Sequence, residues 1–247
     1  MRGFRKARLS NDILNDYIAV PGNANNGWKD EFYTTLASPD RNSLKNEIII
    51  DQAGLCAYCE KALRDEGDNK PLGFKVEHFI PENSKTIKKM IAAGQPAPTT
   101  NYSLLWTNLL GCCFGGEHAR SASYIGSLID EANLSCDVPK SNHNWSEFIL
   151  DPSQEPPDDG TWFEFDEEGV MDVSADCPPQ YVDKARQSIE MLNLNCVRLT
   201  RLRLAALESL STISDEADIA ALLSKDAAGI YGEFISLRKW YLAYALS

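Results

Sequence analysis

Between Cys56 and Lys140 the chain concentrates residue types that can do chemistry. They are the pair in Cys56-Ala57-Tyr58-Cys59, the adjoining Glu77 and His78, Asn108, the adjacent Cys112 and Cys113, and the pair Cys136-Asp137. The C-x-x-C pair sets two thiolates on a tight turn, at the spacing tetrahedral zinc prefers. A redox pair has the same spacing, but it belongs at a helix start after a strand in a βαβ unit, and no such alternation surrounds this one. Downstream residues complete a zinc set in two ways: Cys113 with His118 has a feasible local spacing, and Cys136 closes a four-thiolate site across an insertion. Spacing leaves both open. Adjacent cysteines seldom both bind one ion, so one of Cys112 and Cys113 is expected to be a spectator.

Glu77 and His78 stand in the run Gly73 to Pro81, which reads as a short strand ended by its proline. They therefore point to opposite sides or straddle a bend. A lone histidine in an apolar strand is ordinarily a satisfied core residue. This one lies between two cysteine clusters and beside a carboxylate able to bind a hard cation, which makes it a candidate for acid–base chemistry. Lys140 reads as a surface lysine with phosphate contact as the alternative, and His143 as an exposed loop residue.

The elements that must position these groups are modest. Trp28 to Leu36 and Ser43 to Ala53 have the apolar spacing of two helices, the second delivering the chain to Cys56, and Asn83 to Gly94 reads as a short helix with surface lysines. A polar helix-like insertion is expected from Ala119 to Asn133. Beyond it, Asp151 to Gly160 has the composition of a linker, Trp162 to Val173 alternates like a hairpin, and the pattern from Pro179 onward is helical, with Ser214 as a cap. The helical stripes are core or partner surface, and Trp240, Tyr241 and Tyr244 are read as packing in preference to base stacking. Cys177 and Cys196 are expected to be plain thiols. Three parts follow: 1–155 with the candidate centre, 156–178 as linker and hairpin, and 179–247 as a helical region.

Composition narrows the function classes. Seven cysteines without an export-type apolar segment at the start fit metal ligands and buried thiols better than a disulfide framework. No apolar run approaches the roughly 20 residues of a membrane span, so the expectation is a cytoplasmic protein with no membrane partner. The net charge of −12 repels a polyanion on average, so any contact with nucleic acid would need a partner or a local basic patch. Arg2, Arg5, Lys6 and Arg8 form one basic cluster, read either as a solvated terminus or as a contacting arm.

Taken together, Gln52 to Glu60, Val76-Glu77-His78-Phe79-x-Pro81, Tyr102 with Asn108-Leu109-Leu110, Cys113, and Cys136-Asp137-x-x-Lys140 resemble the HNH, or ββα-metal, endonucleases. More narrowly they resemble the PtuB family, the HNH subunits of Septu and retron-associated anti-phage defence systems. The resemblance implies an α+β fold: a zinc-stabilised ββα-metal core with flanking helices and a helical C-terminal part. It implies Cys56, Cys59, Cys113 and Cys136 as structural zinc ligands, Cys113 being preferred because such chains place a cysteine five positions after the asparagine. It further implies His78 as general base, Glu77 and Asp137 as ligands of a catalytic Mg²⁺ or Mn²⁺, and Asn108 as the residue that shapes the loop and orients the histidine. The activity implied is hydrolysis of nucleic acid, DNA favoured over RNA, alongside an ABC-type ATPase subunit. Two departures stand out: Cys112 occupies a place where a small residue is usual, and the insert between Cys113 and Cys136 carries His118. The rivals are a non-catalytic zinc-stabilised adaptor that binds a partner protein, and a zinc deaminase, which the absence of H-x-E paired with P-C-x-x-C disfavours.

Overall fold

Asn11 opens the first regular element by accepting a hydrogen bond from the Leu14 backbone N–H at 3.1 Å, and helix α1 (Asp12–Ala19) follows. In the computed structural model of the chain, which describes residues 1–63, 73–117, 131–213 and 215–245, this helix is one the apolar pattern did not predict. The helix expected over Trp28 to Leu36 is instead a π-helical turn (Trp28–Phe32) followed by a 3-10 turn (Tyr33–Thr35). This winding lets Trp28 and Phe32 both face the core, with their rings 5.1 Å apart. Helix α2 (Ser38–Asp51) begins earlier than predicted because Pro39, in its first turn, has no intrahelical N–H to lose there. It buries Leu44, Ile48 and Ile49 and ends at the cysteine turn.

Strand β1 (Lys75–His78) pairs antiparallel with β2 (Leu109–Cys112), placing His78 opposite Leu109 and Glu77 opposite Leu110. Between them lies helix α3 (Ser84–Ala92), as the sequence predicts. A single helical turn, α4 (Asp137–Lys140), follows the insertion, most of which lies outside the described residues. Strands β3 (Phe163–Phe165) and β4 (Met171–Val173) form the expected hairpin. Helices α5 (Val182–Met191), α6 (Val197–Leu210), α7 (Glu216–Leu223) and α8 (Ile235–Ala245) complete the chain. The expected cap Ser214 lies outside the described residues; Asp215 caps α7 through the Ala217 and Asp218 N–H groups.

The fold is α+β, and buried residues from Met1 to Leu237 form one hydrophobic cluster. Residues 151–160, expected to link two parts, are packed: Gly3 N–H donates to the Pro157 carbonyl at 2.7 Å and Phe4 N–H to that of Pro152 at 2.8 Å. The basic start of the chain is accordingly not a solvated arm. Arg2 is buried and donates to the Gln52 carbonyl at 2.7 Å, and the Lys6 ammonium lies 4.0 Å from the centre of the Trp106 ring. Arg8 stays exposed beside Asp12. Arg203, also buried, donates to the carbonyls of Leu194 and Gly169 and so ties α6 to the β3–β4 turn. Trp240 packs edge-on against Phe165, and Tyr244 stacks on Trp240. Among the described residues no helix is long and apolar enough to cross a membrane.

Candidate metal centres and catalytic site

Four cysteines from three distant stretches meet beneath β2. The turn Cys56–Cys59 is fastened to that strand twice: Ala57 N–H donates to the Gly111 carbonyl at 3.0 Å, and the buried Gln52 amide clamps Gly111 from both sides. Cys113 follows β2 directly, and its N–H donates to the Cys56 sulfur at 3.3 Å. Cys136 reaches the cluster because Gly115, at φ +56°, lets the chain run against Ser135; a Cβ there would sit 2.2 Å from the Ser135 carbonyl oxygen. Cys136 itself holds a positive φ of 63°, fixed by its N–H donating to the Leu192 carbonyl at 2.8 Å.

The sulfurs of Cys56, Cys59, Cys113 and Cys136 all lie within 4.8 Å of one another. Cys59 to Cys113 is 3.6 Å and Cys113 to Cys136 is 3.7 Å. Four sulfurs at about 2.3 Å from a central zinc would be about 3.8 Å apart, so these four thiols are positioned to hold one metal ion. Hydrogen bonds from Cys136, Cys56 and Cys59 favour the thiolate of Cys113. Cys112 is not one of the four mutually close thiols, although its thiol hydrogen-bonds with Cys56; burial pushes it up to about 12. His118 lies outside the described residues. Cys177 and Cys196 are buried apart from the cluster.

A second group forms where β1 meets α4. Alternation along β1 puts Lys75 and Glu77 on one face, and one helical turn separates Asp137 from Lys140. The two elements pair crosswise. Lys140 Nζ donates to Glu77 Oε1 at 2.6 Å, and Lys75 Nζ approaches Asp137 Oδ2 to 3.2 Å while also pairing with Glu117. Burial pushes the Glu77 carboxyl up to about 7, against the opposing charge of Lys140. Burial likewise raises Asp137 to about 6, against Lys75. Among the described residues, Asp137 Oδ1 is buried without a hydrogen-bond partner, as is the Tyr58 hydroxyl, which burial and then the charges of Glu77, Cys112 and Asp137 keep protonated. Lys140, expected at the surface, has a side chain only 1% exposed, because Glu77 and the His78 carbonyl 3.0 Å away satisfy its ammonium inside.

The His78 ring belongs to the opposite face of β1. Its Nε2 lies 3.1 Å from the Ser103 carbonyl oxygen, and the edge of the ring meets Trp28 with centroids 5.5 Å apart. A carbonyl only accepts, so Nε2 carries the proton and Nδ1 keeps its lone pair. Burial holds the imidazole below its ordinary range, partly offset by the charge of Glu82, so the ring is neutral near pH 7. No hydrogen bond joins the ring to Glu77 or Asp137 among the described residues; the links run through the backbone, where Lys140 holds the His78 carbonyl and the His78 N–H supports the Glu77 carboxylate. Asn108 clasps the next residues: Ile80 N–H donates to its Oδ1 at 2.7 Å, and its Nδ2 donates to the carbonyls of Ile80 and Tyr102 at 2.8 and 2.9 Å. His143 is exposed and stacks on Trp145.

Several residues of this site carried no chemical assignment from the sequence: Gln52, Tyr58, Lys75, Glu82 and Glu117. Gln52 and Tyr58 belong to the recognisable Gln52–Glu60 stretch, so a signal for them existed. Lys75 had one in its i, i+2 relation to Glu77, whereas Glu82 and Glu117 had none beyond their charge.

No protein-family model matches the chain. A protein of Escherichia coli, provisionally named the HNH endonuclease of retron Ec83, is 33% identical to it over 198 residues, spanning 72% of this chain and 69% of the relative. Identity of that extent over more than two thirds of both chains makes this protein a member of the retron-associated HNH endonuclease family.

Proposed function

We propose that the chain is a metal-dependent endonuclease that hydrolyses phosphodiester bonds in nucleic acid, DNA in preference to RNA. The observation that carries this reading is the end of β1, where one face brings Glu77 near Asp137 of α4 and the other carries the neutral imidazole of His78, beside a four-thiol cluster, in a chain of the HNH family. The antiparallel β1–β2 pair and the helical turn α4 support reading this region as a ββα-metal core.

Cys56, Cys59, Cys113 and Cys136 would hold zinc. A four-thiolate site leaves no open coordination position, so its role is to frame the hairpin. Glu77 and Asp137 would hold Mg²⁺ or Mn²⁺. Their oxygen donors suit a hard cation, and Asp137 Oδ1, without a partner among the described residues, is an acceptor such a cation would satisfy. When bound, that cation supplies charge relief at the phosphate and at the leaving oxygen. His78, with Nε2–H engaged by Ser103, offers Nδ1 to take the proton of the attacking water. Asn108 fixes the backbone after His78 and touches no reacting group.

The resemblance to defence-associated HNH subunits supports a cytoplasmic protein that works with an ABC-type ATPase. The net charge of −12 supports dependence on that partner for capturing a polyanion. We assign the nuclease to residues 1–155, with 156–178 and 179–247 as its linker-hairpin and helical support. Plasmid and RNA cleavage by the chain, alone and with the ATPase co-purified, in Mg²⁺, Mn²⁺ or EDTA, tests the proposal. His78→Ala with its zinc intact should be inactive; undiminished cutting would sink the mechanism. A second reading, the non-catalytic zinc-framed adaptor, is favoured by the pairing of both carboxylates with lysines. It predicts partner binding without cleavage under every one of these conditions.

A further inference from the structure

The crosswise pairing of β1 and α4 has a physical consequence for metal entry. Each element contributes one carboxylate and one lysine, and each carboxylate is paired with the other element's lysine: Glu77 with Lys140 and Asp137 with Lys75. Together the four side chains are neutral, and Glu117 beside Lys75 adds one negative charge. A divalent cation placed on the two carboxylates while both ammonium groups remain beside them would leave the site positive in a poorly hydrated setting, where like charges repel hardest. Cation and lysines therefore compete for the same oxygens.

The lysines also have somewhere to go. Lys75 keeps Glu117, with which it is already paired, and its side chain is 31% exposed. Lys140 keeps the His78 carbonyl at 3.0 Å. Neither ammonium is stranded when its carboxylate turns to a metal. One acceptor at the site, Asp137 Oδ1, is unoccupied by either lysine and offers a first contact.

We infer that Lys75 and Lys140 are resident counter-ions of the Glu77–Asp137 site: they hold its carboxylates in place without metal, and a divalent cation displaces them. The inference rests on the proposed function, since it takes Glu77 and Asp137 as the ligands. The displaced ammonium groups give the metal-loaded site surplus positive charge, which a phosphodiester neutralises. Metal and nucleic acid therefore bind cooperatively, each weakly alone. Lys75 and Lys140 are positioning residues in this scheme, acting through the carboxylates.

The test is Mn²⁺ binding, read from the electron paramagnetic resonance of free Mn²⁺, on the zinc-loaded full chain with and without a short DNA duplex. Lys75→Met should bind Mn²⁺ about tenfold more tightly than wild type without DNA, the scale of removing one competing counter-ion, and should lose most of the DNA-induced gain. Lys75→Arg should behave as wild type. Lys140→Met should act in the same direction; because it removes a buried charge partner and can unfold, the decision rests on the more exposed Lys75. Unchanged or weaker Mn²⁺ binding in Lys75→Met overturns the inference. Glu77→Gln and Asp137→Asn separate it from the reading beneath it. If Mn²⁺ binding survives in both, the metal site itself is misplaced and both fall. If both abolish binding while Lys75→Met leaves it unchanged, only the counter-ion scheme falls.

Discussion

Asn108→Ala isolates the loop clasp from the rest of the site, and its cost follows from three hydrogen bonds. The side chain is buried and accepts from Ile80 N–H at 2.7 Å while donating to the carbonyls of Ile80 and Tyr102 at 2.8 and 2.9 Å. Each such bond contributes about 1 kcal/mol net, so truncation costs about 3 kcal/mol. Ile80 and Tyr102 are half-buried, so water reaches some of the abandoned backbone groups and keeps the figure from climbing much further. For a chain of this size that is a fall in Tm of roughly 6–12 °C by thermal unfolding of the zinc-loaded protein. Asn108→Asp sharpens the test. It preserves shape and the acceptor for Ile80 N–H but turns a carboxylate oxygen toward two carbonyl oxygens. Protonation restores one donor, so the deficit of Asn108→Asp should shrink as the pH falls, whereas that of Asn108→Ala should not. A Tm within about 2 °C of wild type for Asn108→Ala would refute the claim that this amide holds the loop carrying His78.

The zinc frame predicts that Cys113→Ser and Cys136→Ser purify with little zinc by elemental analysis, while Cys112→Ser and Cys177→Ser keep a full complement; zinc retained in Cys136→Ser would break the ligand set. Gly115→Ala should lose zinc as well, because its positive φ and the Cβ clash at 2.2 Å with Ser135 push Cys136 away; calorimetric zinc titration of the variant checks this. Burial pushes the Glu77 carboxyl up to about 7 and that of Asp137 up to about 6, above ordinary carboxylates. Without added Mg²⁺ or Mn²⁺, the unfolded chain releases these protons at lower pH than the folded one, so stability should fall as pH rises from about 4 toward 7. Mn²⁺ binds the deprotonated forms, so its affinity should rise across the same interval and then level. A pH-independent affinity there would contradict the burial of these groups.

What could be read from the sequence was governed by how local the determining interaction is. The cysteine turn, the β1 strand and the β3–β4 hairpin are written in a few neighbouring residues, and the four converging thiols share a ligand chemistry that survives any spacing. Helix α1 escaped because its cap at Asn11 precedes a short and only partly apolar run. Lys140 reads as a surface lysine or a phosphate contact, and the basic start as a solvated terminus or a contacting arm, since charge ordinarily stays in water or meets a partner. Their burial depends on partners far away in the chain: Glu77 for Lys140 and the Gln52 carbonyl for Arg2. No window of sequence contains both halves of such a pair.

The same locality explains why zinc frame and candidate catalytic group form one device although they share no side chain. Cys136 and Asp137 are consecutive, so fixing the thiol fixes the start of α4, and one turn later Lys140 reaches the His78 carbonyl. On the other side, Gln52 and Ala57 bind Gly111 of β2, whose register with β1 sets the height of Glu77 and His78. Carboxylates and imidazole are thus positioned from two sides by elements that both end in the four-sulfur cluster. Loss of zinc should therefore disorder α4 and the β1–β2 register together. In hydrogen exchange, the amides of Glu77 to Ile80 and of Val138, Lys140 and Ser141 should lose protection in concert when zinc is removed, while α5 and α6 retain theirs. Protection that fades at α4 alone would mean that β1 is held independently of the metal frame.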